Sequence, residues 1–288
     1  MTVKSPNFFI IGAPKCGTTS LARWLSEHPE TYLSPTKEPH YYSTDLSNRR
    51  IKSESSYLSL FSGVGSAHKA IGEASTWYLY SKEAVANIER QHSGTRYIVM
   101  TRDPIEMAHS LYHHNYRVLH EDQPTFERAW KLQGEREKGK MIPAPCTEPE
   151  FLQYRQACAL GSMLERLLEQ VDVERVLHIP LEAMRVNAKV EYQRVLAFLE
   201  LSDDGRASFP VANEARGSRS RLLQRLLRVG GRTRAALGLR KGFGLAKLNE
   251  RAKPKEPLSG EFLKELEFEF QKERALLQEL SSRLRSAF

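Results

Sequence analysis

The sequence predicts an α/β fold of three layers, a central parallel sheet flanked by helices on both faces. Three observations carry this expectation. Short apolar runs alternate with stretches of helical periodicity along the chain. The clearest runs are continuously apolar, as strands buried on both faces are. A length of 288 residues, 40% hydrophobic and 27% charged, is enough for one domain with a full core.

The elements follow in order. Residues 7–11 (NFFII) form a short apolar run, read as a buried strand that Gly12 ends. Residues 18–28 place Leu21, Trp24 and Leu25 on one helical face and stop before Pro29. Tyr32-Leu33 and the stretch 70–72 read as two further short strands. Residues 96–101 (RYIVMT) are the clearest later strand, with Pro104 opening a helix over 105–116. Residues 175–179 give another strand, ending at Pro180, and helices are expected over 181–184 and 190–201. The stretch 117–155, rich in Gln, Glu, Lys and Pro, reads as an excursion over the surface. Phe262, Leu266, Phe270 and Leu277 recur at helical spacing, so residues 259–288 are expected to form an amphipathic helix packed on the sheet.

The net charge of +8 is local in origin. Ten basic residues and no acid lie between Ala215 and Asn249; without them 33 basic residues face 35 acidic ones. Such a window attracts an anion, a polyanion or an anionic surface, and LLQRLLRVGGRTRAALGL within it is amphipathic as a helix. A solvated basic face is the alternative. The three cysteines, Cys16, Cys146 and Cys158, offer no disulfide framework and no paired metal spacing, which favours a reducing cytoplasm. The N-terminal segment has neither a secretory h-region nor a spanning stretch.

Two constellations carry chemistry. In GAPKCGTTS, a glycine-bounded turn joins the first strand to a helix start, a cradle in which backbone N–H groups and the helix dipole hold a phosphate. The ATP-binding pattern puts lysine after the second glycine. Here Thr18 has that place and the lysine has moved back to Lys15, over the terminal group of a nucleotide instead of beside a triphosphate. Thr18, Thr19 and Ser20, with the amides of Cys16 and Gly17, are suited to hold one phosphate without a metal. The second constellation is RDPIEMAHSLY: Arg102 leaves a sheet edge and Ser110 follows eight residues later in the next helix. A guanidinium fork and a hydroxyl suit a second phosphate. Together they imply a nucleotide with two separated phosphate groups, on a P-loop-NTPase-like scaffold.

On these motifs the chain resembles the sulfotransferases that use 3′-phosphoadenosine 5′-phosphosulfate (PAPS). PKCGTTSL is similar to that family's phosphosulfate loop and RDP with S-x-Y to its 3′-phosphate motif. KEPHYY (37–42) and GEASTWYLY (72–80) look like the branch of bacterial carbohydrate and heparan sulfate (Golgi-type) enzymes. Met107 and Ala74 depart from basic residues common there.

The resemblance implies a single domain over 1–288. Residues 5–116 would be the nucleotide core, 215–258 a basic segment able to cover the nucleotide, and no metal would be needed. It implies in-line transfer of a sulfuryl group to a hydroxyl, with Lys15 stabilising the leaving oxygen. Glu38 is the preferred base and His40 the competing one, and burial is expected to raise the Glu38 pKa. Glu73 and Trp77 are candidate acceptor contacts. Arg219, or the stretch 240–242, is a candidate for the 3′-phosphate. The expected acceptor is a glycan or glycolipid, or alternatively a small-molecule natural product; nucleic acid is not an expected partner. A nucleotide kinase and a catalytically silent polyanion-binding protein are the rival readings.

Overall fold

The computed structural model describes residues 5–212, 216–218, 250–252 and 257–286. Arg219, the stretch 240–242 and the amphipathic part of the basic window lie outside the described residues.

The core is a five-stranded sheet of β1 (Phe8–Gly12), β2 (Thr31–Leu33), β3 (Ala70–Ala74), β4 (Arg96–Thr101) and β5 (Val176–Pro180). The order is β2-β3-β1-β4-β5, and every neighbouring pair is parallel. β1 is buried at all five positions, which explains its unbroken apolar run FFIIG. After β1 the chain moves out to the β2 edge, returns through β3 and then crosses to β4 on the other side. The point of reversal is therefore at β1, and a ligand crevice opens beyond the carboxyl ends of β1 and β4.

The connecting helices match their local signals. α1 (Thr18–Ser26) buries Leu21, Trp24 and Leu25. Next come α2 (Glu54–Leu58) and α3 (Ala84–Gln91). α4 (Pro104–Arg117) starts at Pro104 behind an Asp103 N-cap, whose Oδ1 accepts from the N–H groups of Ile105 (3.0 Å) and Glu106 (3.1 Å). α5 (Phe126–Lys131), α6 (Gln133–Glu137), α7 (Tyr154–Ala157) and α8 (Leu160–Leu168) precede β5, and α9 (Leu181–Val186) and α10 (Ala188–Phe198) follow it. Two short strands, 216–218 and 250–252, pair antiparallel. The last helix, α11 (Gly260–Ser286), was expected to lie on the sheet; it packs chiefly on α8 and α4 and reaches the sheet at β5.

The stretch 117–155 is not a surface excursion. It buries Phe126, Trp130, Phe151 and Leu152, and Trp130 donates to Glu265 of α11 at 2.9 Å. Its polar composition conceals an internal ion pair. The Arg136 fork donates to both oxygens of Glu121 at 2.6 Å, both side chains have 0% exposure, and Tyr154 donates to the same carboxylate at 2.8 Å. Removing one partner of such a pair strands a buried charge, at a cost of about 3–5 kcal/mol. Arg136→Met is therefore expected to lower unfolding stability by about that amount in a urea titration. Replacing the exposed, locally paired Lys138 by Met should change it by less than about 1 kcal/mol.

Candidate active site

The crevice at the reversal point is a cleft of about 1470 Å³. Its floor is the loop between β1 and α1. Gly17 caps α1 with φ 90°, and a Cβ there would stand 2.9 Å from Leu181 Cδ1, so glycine is required. With no side-chain cap and no acid in the first turn, the helix N-terminus is left open to an anion.

Lys15, at φ 67°, lines the cleft. Burial pushes its ammonium pKa down, and the charges of Arg117, Arg102 and Lys37 push it the same way. No acid pairs with it among the described residues. Thr18, Thr19 and Ser20 line the same floor. Thr19 Oγ1 accepts from Lys37 Nζ at 3.0 Å, and Ser20 Oγ accepts from the N–H of Ala212 at 3.1 Å. Cys16 points the other way. Its thiol is buried, donates to the Pro14 carbonyl at 3.4 Å, touches Met107, and is pushed up to about 12 by burial. The Cys16 N–H bonds back to the Ala13 carbonyl at 3.3 Å, so neither group faces the cleft as expected. Met107 is fully buried against this thiol.

Arg102 follows β4 and is 6% exposed. One Nη donates to the Lys15 carbonyl at 3.3 Å and the other meets the Glu106 carboxylate, while Nε is buried without a hydrogen-bond partner. Ser110 faces the same cleft from α4. The structure thus brings both phosphate constellations into one space. Beside them stands an apolar wall that the sequence reading missed. Trp24 and Phe209 meet edge to face at 5.1 Å, and Leu181 and Met184 continue the surface. Its signal was the Phe209-Pro210 pair, which returns over α1 where Trp24 donates to the Pro210 carbonyl at 3.2 Å.

Glu38 lines the cleft, with Oε1 3.8 Å from Lys37 Nζ and Oε2 3.7 Å from His40 Nε2. Burial pushes its carboxyl up, but the contact with His40 and the charges of Lys37 and Arg50 outweigh it. The net shift is downward, the reverse of the expectation. His40 is 2% exposed, packs edge to face on Tyr78 at 5.9 Å and does not line the cleft. It is a packed residue behind Glu38. His114, one helical turn beyond Ser110, lines the cleft and was not singled out from the sequence. Burial, then Lys15 and Arg117, push its pKa down to about 3, so it is neutral.

Glu73 does not reach the cleft. It has 0% exposure, accepts from Tyr57, Ser75 and Tyr78, and burial pushes its pKa up to about 7. Trp77 lines the cleft but is 7% exposed, with one face covered by Phe151 at 3.6 Å and an interplanar angle of 7°. The 117–155 stretch supplies the far wall through His120, Phe126, Glu148 and Phe151.

Comparison with known proteins agrees with this geometry. The solved sulfotransferase of Alicyclobacillus acidocaldarius superposes with a TM-score of 0.64 at 27% identity, covering 85% of this chain and 100% of that one. The membrane-associated sulfotransferase kil1 of Dictyostelium discoideum is 29% identical over 114 residues, 40% of this chain and 24% of that protein. Human carbohydrate sulfotransferase 15 is 57% identical over 37 residues, 13% of this chain and 7% of that protein. The chain thus matches a quarter or less of the length of these curated relatives. The model of the sulfotransferase domain family matches residues 5–210, and the chain belongs to that family.

Proposed function

We propose that the chain is a PAPS-dependent sulfotransferase acting on a hydroxyl, with a carbohydrate or glycolipid as acceptor. The observation that carries the reading is the pairing of Lys15, without an acid partner among the described residues, and Arg102, with an orphaned buried Nε, in one cleft. A buried ammonium pushed toward its neutral form by neighbouring cations marks a site best completed by an anion.

The residues present fit the nucleotide. The open N-terminus of α1, with Thr18 and Thr19, would hold its 5′ side; Arg102 and Ser110 would hold the 3′-phosphate; the Trp24–Phe209 wall suits a planar base. Bound PAPS supplies an activated sulfuryl group. Lys15 stabilises negative charge at the leaving oxygen. Glu38, held ionised, accepts the proton of the acceptor hydroxyl, and His40 and Lys37 fix its carboxylate. His114, neutral beside Lys15, offers the acceptor a hydrogen bond without adding charge. The carbohydrate reading draws on the KEPHYY and GEASTWYLY stretches and the short likeness to human carbohydrate sulfotransferase 15. The three free cysteines favour a reducing compartment such as the cytoplasm. Arg219 remains the proposed late contact to the 3′-phosphate, and the basic window a proposed contact with an anionic surface.

Calorimetry without metal should show 3′-phosphoadenosine 5′-phosphate (PAP) binding more tightly than ADP. Arg102→Ala should weaken PAP about 10–100-fold while leaving ADP nearly unchanged. A preference for ATP with magnesium contradicts the reading.

The pH profile of kcat/KM for PAPS tests Glu38 as the base. Glu38 works ionised and its pKa is depressed, so activity should fall only as pH drops below the ordinary glutamate value of about 4.3. Lys15 works protonated and its pKa is also depressed, so activity should fall as pH rises, before the ordinary lysine value of 10.5. An acid limb well above the carboxylate range would overturn Glu38 as the base. Glu38→Gln should lower kcat by at least about 100-fold with PAP binding intact.

A further inference from the structure

We propose that Glu73 is a positioning residue for Glu38, holding the loop that carries it through two hydroxyl bridges. The proposal rests on the reading of Glu38 as the base. The segment 38–42 is irregular, and Glu38 and His40 stand at φ 52° and 50°, a region that non-glycine residues rarely adopt. Such a conformation persists only where its surroundings over-determine it.

The surroundings here converge on one carboxylate. The N–H of His40 donates to Ser75 Oγ at 3.0 Å, and Ser75 Oγ donates to Glu73 Oε2 at 2.6 Å. Two residues on, the N–H of Tyr42 donates to the Tyr78 hydroxyl at 3.2 Å, which donates to Glu73 Oε1 at 2.8 Å. The Tyr57 hydroxyl donates to the same Oε1 at 3.2 Å. A hydroxyl has one proton to give. Because Ser75 and Tyr78 each give theirs to Glu73, their lone pairs are turned toward the loop amides. The ionised Glu73 carboxylate is acceptor-only and therefore sets the polarity of both bridges. An amide there would present N–H to one hydroxyl, leave that hydroxyl's own proton without its acceptor, and weaken one anchor of the loop. Glu73 has 0% exposure, so any effect on turnover passes through the loop and not through contact with substrate.

The test uses Glu73→Gln, which keeps the shape, and Ser75→Ala, which removes one bridge alone. Each is expected to lower kcat about 10–100-fold, because misplacing a base by an ångström costs that much. The Kd and binding stoichiometry for PAP, measured by calorimetry, should stay unchanged, and neither substitution should lower kcat further in a Glu38→Gln background. Retention of kcat within about twofold in both variants overturns the proposal. So does a loss of kcat matched by loss of PAP-binding stoichiometry, which a purely structural role produces, or a full additional loss in the Glu38→Gln background. An active Glu38→Gln removes the base assignment, and this inference with it. An inactive Glu38→Gln beside a fully active Glu73→Gln removes this inference alone.

Discussion

The hydrogen bond from Arg102 to the backbone carbonyl of Lys15 joins the two halves of the site. It ties the residue after β4 to the loop after β1, across the point where the sheet reverses direction. Everything around it is arranged to tolerate cations in close company. Glu106 takes one Nη of Arg102 and lies 3.7 Å from Arg185, so one half-exposed carboxylate balances the outer side of the cluster. The inner side is left positive. Arg117, Arg102 and Lys37 press on the buried Lys15 ammonium there, and the fully buried parallel strands supply the rigidity that keeps them together. An anion at the open end of α1 relieves that repulsion, which makes binding and charge compensation the same event.

Two carboxylates near this cluster show how position divides labour between like groups. Glu38 is partly open to the cleft and close to Lys37, Arg50 and His40, so cations outweigh burial and it stays ionised. Glu73 lies beneath, where burial outweighs three hydroxyl donors and raises its pKa to about 7. On the proposed reading the first takes the acceptor proton and the second holds the loop that carries it. The hydroxyls of Ser75 and Tyr78 connect them, because each accepts from the loop and donates to Glu73.

The far side of the cleft depends on a different buried charge. The Arg136–Glu121 pair closes the 117–155 stretch on itself, and Trp130 fastens that stretch to α11. Phe151 then lies flat on Trp77. That stacking makes Trp77 part of the wall of the cleft, which His114, His120 and Glu148 also line.

The sequence by itself determined the scaffold and the residues Lys15, Thr18, Thr19, Ser20, Arg102 and Ser110 that meet in one cleft. Unbroken apolar runs announced strands buried on both faces, and Gly12, Gly17, Asp103 and Pro104 marked where the chain turns into helices. Such signals are local, since backbone geometry and helix capping involve residues close in the chain. The displaced Lys15 and the Arg102–Ser110 spacing were legible for the same reason. Only the tertiary structure decided what depended on residues far apart. Glu38 and Glu73 look alike as letters, and their opposite pKa shifts come from cations and hydroxyls that other elements bring to them. Cys16 sits inside the motif, yet packing against Met107, 91 positions away, turns it from the cleft. The polar composition of 117–155 suggested solvent, because a charge pair satisfied within the fold reads in the sequence just like two charges facing water.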